Sequence, residues 1–353
     1  MAPSASAAKS SKSPEKRTTL ADVAALAGVS LVTASYALRN NPKISAPTRR
    51  RVARAAKKLS YIPDPELGRL MYLLRLGRPV AQKSSIALLS FEPNPPAEPN
   101  QYLQALVEGA KQRCQEIGYN IDPITVAPGE MPPNRLTMVL RARGIQGVLI
   151  PPISSPVDFT QLADWSWFSV VAATYTAQNI SVNRVVPNHL HAGFLALTKL
   201  EAKGFKRIGL VTDQGGHVRA NYAFWAALAL HQQTGQSAVI PAIQFGEAEV
   251  FRQWLRSHRP DVILTAEPRL ALAMTALGES MPGGIVPIVL LNNPMDRRFA
   301  GVYLHPEIVG KTAVDLLSAQ IQHGERGYAE HPNVVMVEGR WLEAEKTALA
   351  PRA

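Results

Sequence analysis

A chain of 353 residues, 46% hydrophobic and 18% charged, has room for two or three domains and a substantial buried core. Its single cysteine, Cys114, excludes an intramolecular disulfide and a multi-thiolate metal site and fits a cytosolic protein. No apolar run approaches the roughly 18–20 residues of a membrane span, and residues 1–17 are Ala, Ser, Pro and Lys without an apolar signal core, so a soluble, unexported protein is expected. Charge is spread unevenly: residues 1–83 hold 16 Lys and Arg against four Asp and Glu, net +12, and residues 84–353 hold 22 against 23, net −1. A compact basic segment joined to a near-neutral body points to a polyanionic partner for the first part, nucleic acid being the commonest. A basic tail that only aids solubility is the alternative that pattern must decide.

Taken in chain order, Thr19-Leu-Ala-Asp22 reads as a capping box, a hydroxyl for the orphan amides of a first turn and a carboxylate three residues on. A helix over 20–27 follows, with Leu20, Val23, Ala24 and Ala27 at helical spacing, and Gly28 supplies the left-handed end. Ser30 caps a second helix over 31–38. Two short helices joined by a glycine-containing turn make a helix-turn-helix, and the small residues Ala24, Gly28 and Ala34 suit a close crossing. Asn40-Asn-Pro-Lys-Ile44 is a turn, and Ser45 caps a third helix over 46–59, with Pro47 tolerated in its first turn. Val52, Ala55, Ala56 and Leu59 form its apolar face, while Arg49, Arg50, Arg54, Lys57 and Lys58 form a basic one, either a solvated face or a phosphate-binding one. Tyr61-Ile-Pro63 ends the helix.

Thr19-Leu-Ala-Asp-Val-Ala24, Ala27-Gly-Val-Ser30, Thr33, Ser45-Ala-Pro-Thr-Arg49, Val52 and Leu59-Ser-Tyr-Ile-Pro63 together resemble the headpiece of the lactose-repressor (LacI/GalR) family. The resemblance implies that the second helix enters the DNA major groove. Its base-reading positions then fall on Leu31, Val32 and Tyr36, with Thr19, Ser30, Thr33, Ser35, Ser45 and Thr48 touching phosphate or setting the helix. Tyr36 departs from the arginine common there: it offers one hydroxyl and a ring, not a bidentate fork for guanine. Leu31 and Val32 can supply only apolar contact, to a thymine methyl or to their own core. Over 64–83 the resemblance implies a hinge helix with Leu70, assisted by Leu67, as a minor-groove wedge. Asp64-Pro65 replaces the usual start, and the stripe Leu67, Met71, Leu74 equally suits a dimer seam.

From Ser84 onward, apolar runs over 86–91, 147–151, 168–174, 207–212, 261–265, 288–292 and 301–304 alternate with helical patterns over 102–117, 134–143, 188–203, 218–234, 247–258, 269–278 and 306–323. Continuous apolar strands between helices predict parallel sheets covered on both faces. Gly109, Gly118-Tyr119, Gly144-Ile-Gln-Gly147-Val-Leu-Ile150, Gly193, Gly204-Phe-Lys-Arg-Ile-Gly209 and Val337-Glu-Gly-Arg-Trp341 resemble the family's two-lobed core, similar to periplasmic sugar-binding proteins. The expected organisation is a basic tail over 1–17, a headpiece over 18–63, a hinge and linker over 64–83, a two-lobed effector-binding and dimerisation domain over 84–345, and a tail over 346–353. Lobe 1 is expected at about 84–185 and 293–325 and lobe 2 at about 186–292 and 326–345, with crossings near Val185, Asn292 and Arg326. His305-Pro-Glu307 departs from the family's usual Gln-Pro or Gln-Asp.

Placing the family's ligand positions on this chain puts Asn221 where an arginine is usual, with Arg219 two residues earlier, Ala266-Glu267 where Asn-Asp is usual and Asn292 where aspartate is usual. Arg219, Asn221, Glu267 and Asn292 are candidate hydrogen-bonding groups or a satisfied polar rim, and Tyr102 or Trp225 a stacking face for a sugar. Nucleotide-loop, nucleophile-elbow and zinc-helix motifs are absent from the sequence. His189 and His191 diverge on a helix, so neither catalysis, a metal nor a cofactor is expected. The combined reading is a cytoplasmic transcriptional regulator, expected to be a repressor. It binds near-palindromic double-stranded operator DNA as a homodimer, without membrane contact, under control of a small-molecule effector that the resemblance implies is carbohydrate-derived. A sugar-binding protein with an incidental basic headpiece and a general basic chromatin-type binder are the competing classes.

Overall fold

A computed structural model describes residues 19–38, 44–59, 61, 84–91, 100–126, 134–154, 157–213, 215–235, 237–279, 281 and 284–345. The expected tails over 1–17 and 346–353 and the hinge with Leu67 and Leu70 lie outside the described residues. The chain forms two compact units, 1–82 and 83–353.

In the first unit, α1 (Leu20–Ala27), α2 (Leu31–Leu38) and α3 (Ala46–Lys58) close around Val23, Ala24, Ala27, Ala34, Ala37, Val52, Ala55 and Ala56. The caps of α1 and α2 are local, as the sequence predicts, whereas the expected Ser45 cap of α3 makes no side-chain hydrogen bond to the backbone. The Asp22 amide donates to Thr19 Oγ1 at 3.3 Å and the Thr19 amide to the Asp22 carboxylate at 2.8 Å, so two orphan donors are satisfied reciprocally. Gly28 ends α1 at φ 59°, its amide reaching the carbonyls of Ala24 and Ala25. Nothing stands within 4 Å of the place a Cβ would take. Gly28 is therefore required by its backbone conformation, and the close crossing rests on Ala24 and Ala34.

The second unit contains two sheets, parallel throughout except that β13 runs antiparallel to β11. Lobe 1 orders its strands β12-β5-β4-β3-β1-β2, with β1 (Ser85–Ser90), β2 (Asn120–Thr125), β3 (Gly147–Ile150), β4 (Ser169–Ala172), β5 (Asn183–Pro187) and β12 (Val334–Val337). Lobe 2 orders them β13-β11-β10-β9-β6-β7, with β8 also on β6. Its strands are β6 (Arg207–Thr212), β7 (Ala238–Val239), β8 (Ile243–Gln244), β9 (Val262–Thr265), β10 (Ile288–Leu290), β11 (Ala300–Tyr303) and β13 (Arg340–Leu342). Period-two alternation covers both faces: Ala87 and Leu89 join one core and Ile86 and Leu88 the other, and β9 likewise divides Val262 and Leu264 from Ile263.

Lobe 1 helices are α4 (Gln101–Glu116), α5 (Arg135–Ala142), α6 (Phe159–Leu162) and α12 (Pro306–His323); lobe 2 carries α7 (His189–Ala202), α8 (Gly216–Arg219), α9 (Ala223–Thr234), α10 (Ala248–His258) and α11 (Pro268–Glu279). Helices α4 and α12 pack backbone to backbone. A Cβ on Gly109 would overlap the Glu307 carbonyl, and one on Gly310 the Leu106 carbonyl.

Two expectations are corrected. The lobe boundaries shift: the first crossing follows β5 at Asn188, the second follows β11 at Leu304-His305, and the third separates β12 from β13 at Glu338-Gly339. Residues 300–303 thus belong to lobe 2 and 334–337 to lobe 1, the reverse of the expected assignment. The physical reason is pairing. Strand β11 completes the ladder beside β10 before the chain leaves, and β12 lies parallel to β5, with the Asn188 amide bonded to the Val337 carbonyl at 2.7 Å. The helix expected over 218–234 is also broken, because Asn221 and Tyr222 adopt φ 48° and 60°, which no helix continues through.

Candidate functional site

In the first unit, α2 buries Ala34 and Ala37. With 3.6 residues per turn, positions 35 and 36 then lie on the opposite side and position 31 at the flank of the buried face. Leu31 is 44% exposed, so at least this apolar side chain is left outside the headpiece core. Ser35 and Tyr36 are half-buried, and the Val32 side chain lies outside what the structure describes. At the start of α2 the Thr33 amide donates to Ser30 Oγ at 3.2 Å, and the two hydroxyls are 2.8 Å apart. Ser45 and Thr48 pair their hydroxyls at 2.9 Å, but Ser45 makes no side-chain cap to the backbone. Arg50, Arg51, Arg54, Lys57 and Lys58 on α3 are exposed, and none pairs with an acid among the described residues. Five like charges crowded on one helix cost self-repulsion that a bound polyanion relieves.

The second unit presents its site at the ends of its strands. Strands β5, β11 and β12 each run directly from their carboxyl ends into the opposite lobe, so both sheets turn their carboxyl edges toward the crossings, where α/β folds hold ligands. In lobe 2 a pocket opens beyond β6 and β9, lined by Thr212, Asp213, Tyr222, Phe224, Trp225 and Glu267 among others. Behind it, Arg219 Nη2 bonds both Asp213 oxygens at 2.5 Å and Glu267 Oε1 at 2.8 Å. Burial raises the Glu267 pKa above the usual carboxylate range, opposed by Arg219. Arg219 itself loses basicity to burial but gains more from its two carboxylates and ends above its ordinary value. Tyr222 and Trp225 are 58% and 44% exposed at the rim. Two consecutive non-glycine residues in left-handed backbone hold this rim at a cost of order 1–3 kcal/mol each.

Lobe 1 holds a half-buried cation within β5. Arg184 donates to the carbonyls of Thr174 and Ala177 at 2.8 Å and of Ile180 at 3.0 Å, tying down the segment between β4 and β5. Burial lowers its basicity.

At the second crossing, Tyr303 Oη donates to Glu307 at 2.6 Å, His305 Nδ1 lies 3.2 Å from the other oxygen of Glu307, and the Tyr303 and His305 rings meet edge-on at 4.7 Å. The departure His305-Pro-Glu307 is therefore a polar clasp between β11 of lobe 2 and α12 of lobe 1.

Of the residues placed in the cleft from sequence, Glu267 and Trp225 line the pocket and Arg219 stands behind it. Asn221 is exposed and Asn292 half-buried beyond β10, and neither lines it. Tyr102 is not a stacking face: its ring packs against the cores of both lobes, and burial, with Glu307 nearby, pushes its hydroxyl pKa up. Sequence reading missed Asp213 and Tyr222. Asp213 is the first residue past an apolar strand, which is a signal.

The first unit is thus a helix-turn-helix with a basic third helix, and the second holds two α/β lobes with a pocket beyond β6 and β9. Residues 19–64 match the model of the lacI family of bacterial regulatory proteins. The repressor CytR of Escherichia coli strain K12 is 28% identical over 200 residues, 57% of this chain and 55% of that protein. The chain thus spans about half the length of the first curated relatives it matches. The repressor PurR of Aliivibrio salmonicida strain LFI1238 is 23% identical over 342 residues, 90% of this chain and 97% of that one. Among solved structures, a transcriptional regulator CelR–cellobiose complex has TM-score 0.58 at 21% identity, covering 93% of this chain and 100% of that one. A lac repressor dimer bound to operator and the anti-inducer ONPF has TM-score 0.55 at 20% identity, covering 93% and 98%. These two carry the fold, a helix-turn-helix followed along the chain by a two-lobed core of mainly parallel sheets.

Proposed function

We propose that the chain is a cytoplasmic, sequence-specific transcriptional repressor that binds near-palindromic operator DNA as a homodimer and is controlled by a small-molecule effector in the pocket beside the lobe crossings. The observation that carries the reading is α2 with Leu31 turned outward beside a basic, acid-free α3. Leu31, Val32 and Tyr36 read bases; Thr19, Ser30, Thr33, Ser35, Ser45 and Thr48 position the headpiece on phosphates; and Leu70, with Leu67, wedges the minor groove. One headpiece presents a small surface, so two copies on a two-fold axis reading two half-sites supply specific affinity. Ligand binding changes the lobe angle and hence operator affinity, by the coupling energy between the sites. The CytR and PurR repressors, the lac repressor dimer on its operator and the CelR–cellobiose complex support this reading, and the last favours a carbohydrate-derived effector. No cofactor is required.

The test is selection of the purified full chain against random duplex DNA at about 0.15 M salt, where non-specific phosphate binding is weak. The expected result, with and without a panel of sugars, is a near-palindrome with one dominant half-site. Recovery of random sequence under every condition would refute specific reading. Leu70→Ala is expected to weaken binding to the selected site far more than to random DNA; equal losses would remove the wedge.

A further inference from the structure

Resting on the proposed function for its biological role, the lobe 2 pocket permits a statement about its ligand. The described side chains that line it include two carboxylates, Asp213 and Glu267, and neither lysine nor arginine. The nearest cation, Arg219, already serves three carboxylate oxygens through one nitrogen at 2.5–2.8 Å. The next along, Arg269 on α11, is exposed and outside the lining. Apart from Thr212 the remaining lining is apolar or aromatic, including Phe224, with the exposed rings of Tyr222 and Trp225. Such a surface accepts hydrogen bonds and stacks on C–H or cationic faces. A second anion has nothing there to offset its desolvation.

We infer that the pocket rejects anionic ligands: Arg219 is an internal counter-ion and not a reader of phosphate or carboxylate, and the effector is a molecule without an anionic group that donates hydrogen bonds to Asp213 and Glu267 and stacks on Trp225. Sugar phosphates, sugar acids and nucleotides are excluded as a class. Unphosphorylated polyhydroxyl or amino compounds are admitted. Charge reversal by mutation is the direct corollary. Removing both carboxylate charges leaves Arg219 as an uncommitted cation at the back of the pocket and converts an anion-rejecting site into an anion-accepting one.

The test titrates inorganic sulfate and glucose 6-phosphate, at ionic strength held constant with chloride, into the full-length protein by calorimetry. Three proteins are compared: wild type, Asp213→Asn/Glu267→Gln, and that double variant with Arg219→Met added. The third cancels sulfate bound by the basic headpiece. Wild type is expected to match the triple variant, whereas the double variant gains at least tenfold in affinity for both anions and loses the gain with Arg219→Met. If the double variant does not fold, Glu267→Gln alone is measured and is expected to gain in the same direction. Wild-type binding of either anion that Arg219→Met abolishes would overturn the inference, as would folded carboxylate variants that gain nothing. Operator binding is read separately. An uncharged ligand that occupies the pocket without altering operator affinity would count against the regulatory reading and leave the pocket chemistry intact.

Discussion

His189 offers a sharp test of how the body is held together. It opens α7 directly after the N-cap Asn188, with its ring edge-on to Phe224 at 5.2 Å and 71°. Its Nδ1 is buried with no hydrogen-bond partner among the described residues. Burial lowers its pKa from the ordinary 6.5 to about 4, and the positive end of the helix dipole disfavours the imidazolium further. Because the folded pKa lies below the unfolded one, the unfolded chain takes up the proton first as pH falls. Stability is therefore constant above about pH 6.5 and is lost progressively down to about pH 4. At 1.36 kcal/mol per unit the loss is about 3 kcal/mol, a ceiling because the residue keeps part of its surface in solvent. For a body of this size that is roughly 6–12 °C in Tm. The assay is thermal unfolding of wild type and His189→Phe between pH 7.5 and 4, with the difference between the two curves cancelling every other titrating group. The variant is expected to track wild type near neutrality and to become progressively the more stable below pH 6.5. A difference that stays constant to pH 4 would refute the buried, unpaired imidazole.

Three further expectations concern the rest of the molecule. Thr19→Ala removes one half of the capping box and should cost the headpiece about 1 kcal/mol, read as earlier loss of helical signal from the first unit, with the body's transition unmoved. Gly310→Ala drives a methyl into the Leu106 carbonyl; the helix-propensity gain of about 1 kcal/mol is outweighed by separating α4 from α12, for a net loss of roughly 1–3 kcal/mol in lobe 1 unfolding by denaturant. Arg50→Gln/Arg54→Gln should lower the slope of log affinity against log salt by about 2 if both side chains meet phosphate, while the selected base preference stays the same. An unchanged slope would show that this face of α3 does not touch the duplex.

The headpiece was almost wholly legible because its determinants are local. A cap, an apolar face and a left-handed stop lie within one or two turns of each other at Thr19, Val23, Ala27 and Gly28, and the structure places them as the spacing predicts. The alternation of strand and helix was legible for the same reason, since runs such as Ile208 to Val211 are apolar on both faces wherever they fall.

Which lobe receives a strand was not legible. A short strand carries no mark of its neighbours, and only pairing with β10 and β5 places 300–303 in lobe 2 and 334–337 in lobe 1. Six strands carry too little sequence signal: β7, β8 and β13 have only two or three residues, β2 and β5 interrupt their apolar residues with polar or charged ones, and β12 is a short, exposed edge strand. The site divided along the same line. Sequence marked Glu267, Trp225 and Arg219 as polar or stacking candidates. Only the parallel pairing of β6 with β9 brings Glu267 to Arg219 across 48 residues of chain and turns a candidate ligand-reading arginine into an occupied counter-ion. The same folding places Tyr102 between two cores instead of over a ligand. Local hydrogen bonds and periodicity thus determined the elements of this protein from its sequence alone. Contacts distant along the chain, whose energies depend on which charges and rings are brought together out of water, decided its lobes and the chemistry of its pocket.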